Sequence, residues 1–209
     1  MGTLVVTENV TLDGVIEQVG DWFSPATAAA ESADIVEALR EQMSQQSALL
    51  LGRKTFESFR GYWPARTDDT TGIGAHLNRV TKYVLSGTLK HVGWEHATVL
   101  RGPMVDEVRA LKARVDGEIG VTGSISLVHG LVAAALVDEY RLFVYPVVVG
   151  RGRRLFRDGT SVSLKLLHAK HFRSGVVLLT YRPAASGPAD RVTSPSGSER
   201  LHGGPRSPT

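Results

Sequence analysis

The chain has 209 residues, 42% of them hydrophobic and 22% charged, with a formal net charge of +3 and no cysteine. That length suits one good core, and the missing cysteines exclude disulfides, thiolate metal sites and cysteine nucleophiles together. No apolar run approaches the ~20 residues of a membrane span, and MGTLVVTENV carries no basic segment ahead of an apolar one, so the expected setting is the cytoplasm. A charge surplus this small is weak evidence for nucleic acid as a partner, because a few arginines around an anionic cofactor would produce it equally well. A basic nucleic-acid binder is a third reading beside enzyme and binding module, and for its one strand-face example, Tyr140 to Phe143, core packing is the better account.

In chain order, TLVV from Thr3 reads as a first strand. Thr27 to Gln46 places Ile35, Leu39 and Met43 on one stripe beside Val36, with Glu37 and Glu41 turned outward, which predicts an amphipathic helix. ALLL from Ala48 is a second strand, followed by a short helix from Thr55 to Phe59 that stops near Gly61 and Pro64. KYVL from Lys82 and ATVL from Ala97 suit two more strands. Pro103 to Val115 predicts a helix with proline at its first position and Val105, Val108, Leu111 and Val115 on one side. EIGV from Glu118, a largely apolar helix from Ser124 to Leu136, and a long strand EYRLFVYPVVV from Glu139 follow. SLKLLH from Ser163 and VVLLTY from Val176 form a hairpin around Arg173 to Gly175. Together these predict an α/β fold with a central mixed sheet of eight strands, parallel through its βα half and antiparallel at one edge, with helices on both faces. Residues 1–183 make one domain, and 184–209, half Ser, Gly and Pro, is expected to be a disordered tail.

Three strand ends carry chemistry. In LLLGRKTFES a strand runs into Gly52 and a helix starts at once, which offers a phosphate free backbone N–H groups and the positive end of a helix dipole. Arg53 and Lys54 add charge, and Thr55 can cap the helix or donate to a phosphate oxygen; an ordinary turn with a cap and two solvated cations explains the same residues. KYVLSGTL repeats the pattern at Ser86 and Gly87, and GVTGSISL repeats it at Gly123, Ser124, Ile125 and Ser126, with Ser124 as a plain N-cap the competing reading. Ligands of open α/β sheets bind beyond the carboxyl ends of strands, so three such ends can surround one extended anion.

The succession TLDG (Thr11 to Gly14), LLLGRKTFES, KYVLS and VTGSISLVHGLVAAALVDEYRLFVYPVVVGRGRRLF (Val121 to Phe156) resembles the dihydrofolate-reductase-like superfamily. Within it, the resemblance is to the reductase domain of riboflavin-biosynthesis deaminase-reductases and its stand-alone relatives, and it covers Thr3 to Tyr181. It implies a three-layer fold, NADPH as cofactor, a small-molecule substrate and a homodimer. Arg53, Lys54 and Thr55 would take the 2′-phosphate and pyrophosphate, Ser86 and Gly87 the adenosine ribose-phosphate, and Gly123 to Ser126 the pyrophosphate from the other side. The TLDGVIE loop would cover the nicotinamide and the first strand would floor the substrate pocket.

Departures from the family pattern matter as much. Dihydrofolate reductases hold the pterin with an acid on the first long helix, whereas the corresponding position falls near Val36, flanked by Asp34 and Glu37. The deaminase-reductases carry a zinc domain for which this chain has no cysteine, and a paired glycine is Gly123-Ser124 here. The expected activity is hydride transfer to a pterin- or pyrimidine-like heterocycle or a carbonyl compound; the alternative is a nucleotide-binding sensor or scaffold without turnover. Binding and orientation can suffice for the transfer. The acids to watch for a proton are Glu8 at the end of the first strand, Asp13 in the covering loop and Asp21 beside Trp22, since a desolvated carboxyl can donate near neutrality. Asp13-Gly14 as a common turn pair and Glu8 facing solvent or paired with an arginine are the competing readings. GRGRRLF lacks the third glycine of a Rossmann fingerprint and reads as a loop, and His168 and His171 fall on opposite sides of a strand, so no metal site is expected.

Overall fold

In the computed structural model, which describes residues 1–23 and 33–184, all eight apolar runs are strands of one sheet. They are β1 (Thr3–Thr11), β2 (Gln46–Gly52), β3 (Thr81–Leu85), β4 (Ala97–Leu100), β5 (Glu118–Val121), β6 (Glu139–Tyr145), β7 (Leu164–His171) and β8 (Val177–Pro183). Their spatial order is β4-β3-β2-β5-β1-β6-β8-β7. Every pairing from β4 through to β6 is parallel, and β8 pairs antiparallel with both β6 and β7. The mixed sheet with its antiparallel edge is therefore as the sequence predicts.

The described helices are α1 (Ala33–Gln45), α2 (Arg53–Tyr62), α3 (Ile73–Arg79), α4 (Met104–Arg114) and α5 (Ile125–Ala133). They cover both faces. Leu4, Val6 and Val10 of β1 pack with Val108 and Leu111 of α4 and with Leu127, Val128 and Leu131 of α5. On the opposite face, Phe143 of β6 meets Ile35 and Ala38 of α1, and Leu49, Leu51 and Val84 meet Phe56 of α2 and Leu77 of α3. Period-two alternation then puts Glu8 on the α4/α5 face and its neighbours Thr7 and Asn9 on the α1 face.

Several boundaries differ from the sequence reading, each for a local reason. β1 continues to Thr11, so Glu8 is interior to the strand and not at its end. β6 stops at Tyr145, since Pro146 has no N–H to extend the ladder. α2 begins two residues before Thr55 and runs past Gly61. Pro103 precedes α4 as its cap and is not its first helical residue. α5 ends before Leu136 because Ala135 adopts φ 51°, with the Ala135 N–H on the Val132 carbonyl and the Leu136 N–H on the Leu131 carbonyl. The expected helix start at Thr27 and the tail beyond Ala184 lie outside the described residues. Among the described residues no helix is long and apolar enough to cross a membrane.

Candidate functional site

The turns after β2 and β5 are joined to each other. The Gly52 N–H donates to Ser124 Oγ at 2.9 Å, and the Ser124 N–H donates to Thr55 Oγ1 at 2.8 Å. Gly52 caps α2 in extended conformation while Gly123 and Ser124 precede α5 with φ of 58° and 51°. A Cβ on Gly123 would stand 3.2 Å from Thr55 Cγ2, so the two turns meet there as closely as a glycine allows. Neither helix has a side-chain cap: Ser124 stands at the N-cap position of α5, as the sequence allows, while Thr55 lies inside α2 and is not its cap, and each hydroxyl serves the other turn. Two helix N-termini thus stand side by side with first-turn N–H groups uncapped.

These turns form one wall of a cleft of about 800 Å³. Gly52, Arg53, Lys54 and Thr55 line it from one side and Gly123, Ser124, Ile125 and Ser126 from the other; Glu8 and Trp22 line it as well. Arg53 is not a bare cation, since its Nη1 pairs with Glu57 Oε2 at 2.9 Å across one turn of α2. Ser86 and Gly87 are not among the residues that line the cleft, although their neighbour Leu85 is. The buried Ser86 hydroxyl is turned back on its own loop, accepting the N–H groups of Thr88 at 3.2 Å and Leu89 at 2.9 Å.

The four residues expected near the chemistry separate clearly. Glu8 is buried at the cleft wall, its Oε1 has no hydrogen-bond partner, and burial pushes its carboxyl well above the usual range against a smaller opposing pull from the Gly123 backbone. Asp13 has no proton to give. Its carboxylate accepts from the Thr11 hydroxyl at 2.6 Å and from the Val149 and Gly150 N–H groups at 3.3 and 2.8 Å, and the Thr11 bond leads in holding its pKa down. Asp21 is exposed and does not line the cleft. Trp22 donates from Nε1 to the Glu17 carbonyl at 3.1 Å and meets Tyr145 edge-on at 5.5 Å, so it is an aromatic wall.

The TLDGVIE loop is fastened to the GRGRRLF loop. The Ile16 N–H reaches the Arg153 carbonyl, the Leu155 N–H reaches the Gly14 carbonyl, and Arg153 pairs with Glu17 at 2.6 Å. Arg153 itself lines the cleft, a contribution missed when GRGRRLF is weighed only as a failed Rossmann motif.

A second, inner pocket of about 230 Å³ lies on the α1 face, and Asn9, Phe23, Phe59 and Thr122 line both spaces. Val36 lines it, whereas Asp34 sits at the start of α1 holding the Arg173 N–H at 3.0 Å and Glu37 is exposed. Among the described residues no carboxylate lines this pocket. His76 does, with Nε2 on Gln46 Oε1 at 2.9 Å, and burial pushes its pKa down to about 4. Among the described residues no group of three or more His, Asp or Glu is placed to hold a metal ion. Tyr140 and Phe143, which flank Arg141 and Leu142, are buried in the core.

Comparison with known proteins agrees with this arrangement. Uncharacterized protein YyaP of Bacillus subtilis (strain 168) is 32% identical over 178 residues, 82% of this chain and 90% of that one. Among solved structures, a diaminohydroxyphosphoribosylaminopyrimidine deaminase/5-amino-6-(5-phosphoribosylamino)uracil reductase of Thermotoga maritima superposes with TM-score 0.61 at 16% identity, over 88% of this chain and 57% of that one. Dihydrofolate reductase of Enterococcus faecalis, complexed with NADP(H) and RAB-propyl, superposes with TM-score 0.59 at 18% identity over 88% of this chain and 98% of that one. These likenesses establish a dihydrofolate-reductase-like fold. Residues 2–178 match the RibD C-terminal domain, and the chain belongs to that family.

Proposed function

We propose that residues 1–183 form an NADPH-dependent reductase of the cytoplasm, with the cofactor in the 800 Å³ cleft and a small acceptor in the inner pocket. The observation that carries this reading is the reciprocal pair of hydrogen bonds between the Gly52 and Ser124 turns. Those bonds bring two uncapped helix N-termini to one wall, where a pyrophosphate finds backbone donors, a positive dipole and Lys54 together. The cradle fits such a group, because the turns meet at Gly123 as closely as a glycine allows and leave the backbone N–H groups of both helix starts open to the cleft. Arg53 is the residue we assign to the 2′-phosphate, exchanging its partly exposed partner Glu57 for a doubly charged one.

NADPH, when bound, supplies a hydride to the carbon of a C=N or C=O bond, whose heteroatom must then gain a proton. We assign the proton to Glu8, whose carboxyl burial pushes well above its ordinary pKa. Glu8 lines the cleft and not the inner pocket, so the reacting end of the acceptor must project past Asn9 and Thr122, which line both spaces. Trp22, Phe23 and Tyr145 form an aromatic cluster at the entrance that excludes water from the reacting ring.

Fluorescence titration tests the binding half. Arg53→Ala should weaken NADPH binding by ~1 to 3 kcal/mol, the scale of a charge-assisted contact, and hardly change NADH binding. Equal losses for both nucleotides would show that Arg53 does not read the 2′-phosphate. Glu8→Gln tests the chemical half: it should keep NADPH affinity and lower turnover by about a hundredfold or more. In the wild type, turnover should fall as pH rises through the elevated pKa of Glu8. Saturable binding of NADPH with no oxidation by any pterin, pyrimidine, flavin or carbonyl compound would leave a binding module and no reductase.

A further inference from the structure

The walls of the two spaces differ in charge. The outer cleft has Arg53, Lys54 and Arg153, and among the described residues the inner pocket is lined by no lysine, arginine or carboxylate. What the inner pocket offers instead is neutral polarity among apolar walls: Thr7 and Asn9 of β1, Gln42 of α1, Thr122 and His76. The His76 ring is uncharged at neutral pH, because burial and the nearby Arg79 and Lys82 disfavour its proton. Glu118, the acid that approaches from the far end, touches Gln46 and is sealed by a two-pronged ion pair with Arg141.

One polar atom in this wall is left over. Thr7 Oγ1 is buried and has no hydrogen-bond partner, although a buried hydroxyl without a partner is disfavoured and is ordinarily satisfied. Thr7 lines the pocket, so a ligand there can supply the missing partner.

We infer that the inner pocket selects a neutral, unphosphorylated acceptor of one or two rings, with the Thr7 hydroxyl as its hydrogen-bonding anchor. A protonated aminopyrimidine or pterin ring finds no carboxylate to answer its charge, and a phosphoribosyl group finds no cation. The space of 230 Å³ is smaller than the ~300 Å³ at which drug-sized sites begin, which limits the ring count. This inference rests on the reductase reading for the word acceptor, but the recognition it describes belongs to the inner pocket alone.

Binding to the full chain tests it, with and without saturating NADP⁺, followed through ligand-observed NMR and the fluorescence of Trp63 in the pocket wall. Three probes are compared: 2-quinolinone, which is neutral; 2,4-diaminoquinazoline, of similar shape but basic; and uridine 5′-monophosphate, which is phosphorylated. The neutral probe should bind at least tenfold more tightly than either of the others. Thr7→Val should weaken it at least fivefold, and Thr7→Ser, which keeps the hydroxyl, should not. Val36→Asp should invert the preference toward the diaminoquinazoline. A wild type that binds the basic or phosphorylated probe as well as the neutral one, or that binds none, overturns the inference; that ranking needs no variant to fold. If the neutral probe binds and NADPH does not, the pocket assignment stands and the reductase reading falls; if NADPH binds and no neutral ring does, the reverse holds.

Discussion

At the amino-terminal ends of β5 and β6, Glu118 and Glu139 are buried together on the α1 face, and Arg141 answers both. Its Nη1 and Nη2 reach the two oxygens of Glu118 at 3.1 and 2.8 Å, and its Nε reaches Glu139 at 2.8 Å, with Arg182 on the remaining Glu139 oxygen at 3.4 Å. Glu8 lies on β1 in register with Leu142, three residues along β6 from Glu139, and points to the other face. It is equally buried, and among the described residues only the Gly123 backbone, and no cation, pulls its carboxyl toward the charged form. The same sheet therefore takes three carboxyl groups out of water; burial pushes the pKa of Glu118 up as it does that of Glu8, but Arg141 pulls Glu118 back down, and no such ion pair acts on Glu8 among the described residues. Burial alone does not mark a functional acid; burial beside a cavity with an oxygen left unmatched does.

The largest expected effect breaks the paired end. Arg141→Met would leave Glu118 and Glu139 facing each other without their shared cation, and loss of one partner from a buried pair costs ~3–5 kcal/mol of folding stability. Urea unfolding measures it. The remaining folded fraction should bind NADPH as the wild type does, since the network lies away from the cleft lining. A loss of ~1 kcal/mol or less, the scale of an exposed pair, would erase the distinction between the two ends.

A smaller effect, ~1–3 kcal/mol, is expected from Ser124→Ala, which removes the acceptor of the Gly52 N–H at the cofactor end. Here stability and NADPH affinity should fall together, unlike in Arg141→Met. Ser124→Gly sharpens the point: it also loses the hydroxyl, but φ of 51° costs a side-chain-bearing residue ~1–2 kcal/mol that glycine avoids. Ser124→Gly should therefore be the more stable of the two while its NADPH affinity is reduced to a similar extent. Melting curves and titrations on both variants check this, and an unaltered affinity in both would deny the Ser124 hydroxyl any part in shaping the site.

The strands were legible because each is a short apolar run bounded by Gly, Pro or charged residues, and those runs are set by the chain's local needs. α3 was not: in IGAHLNR only Gly74 and Leu77 are buried, which is too little apolar pattern to register, and the segment is held by Asp69, whose carboxylate accepts the N–H groups of Thr71 and Gly74. Gly52, Thr55 and Gly123 could be picked out as strand-end residues, but the bonds that join their turns span 72 and 69 residues, and no local pattern records them. Ser86 and Gly87 show the opposite failure, since the strand-Ser-Gly pattern is real and yet the hydroxyl is consumed by its own turn. Glu8 stands out in the sequence as an acid at the end of the first strand; what gives it meaning, its burial beside Gly123, depends on β1 lying central in the sheet.

The remaining difference between the two carboxylate sites has a sign that pH reveals. The pKa of Glu8 in the folded chain is raised above its ordinary 4.5, so between that value and the raised one the native state keeps a proton that the unfolded chain releases. The contribution of Glu8 to stability is therefore complete below its unfolded pKa and is lost as pH rises through the folded one, where an unpaired carboxylate must stay buried. Glu8→Gln has no such titration: its melting temperature should match the wild type near about pH 5 and exceed it near about pH 9. The gain is expected to be the smallest change of the set and opposite in direction to that of Arg141→Met, because it removes a buried charge instead of stranding Glu118 and leaving Glu139 with Arg182 alone. Parallel melting curves across that range would mean that Glu8 finds water or a cation when it ionises, and the contrast with Glu118 and Glu139 would then rest on geometry alone.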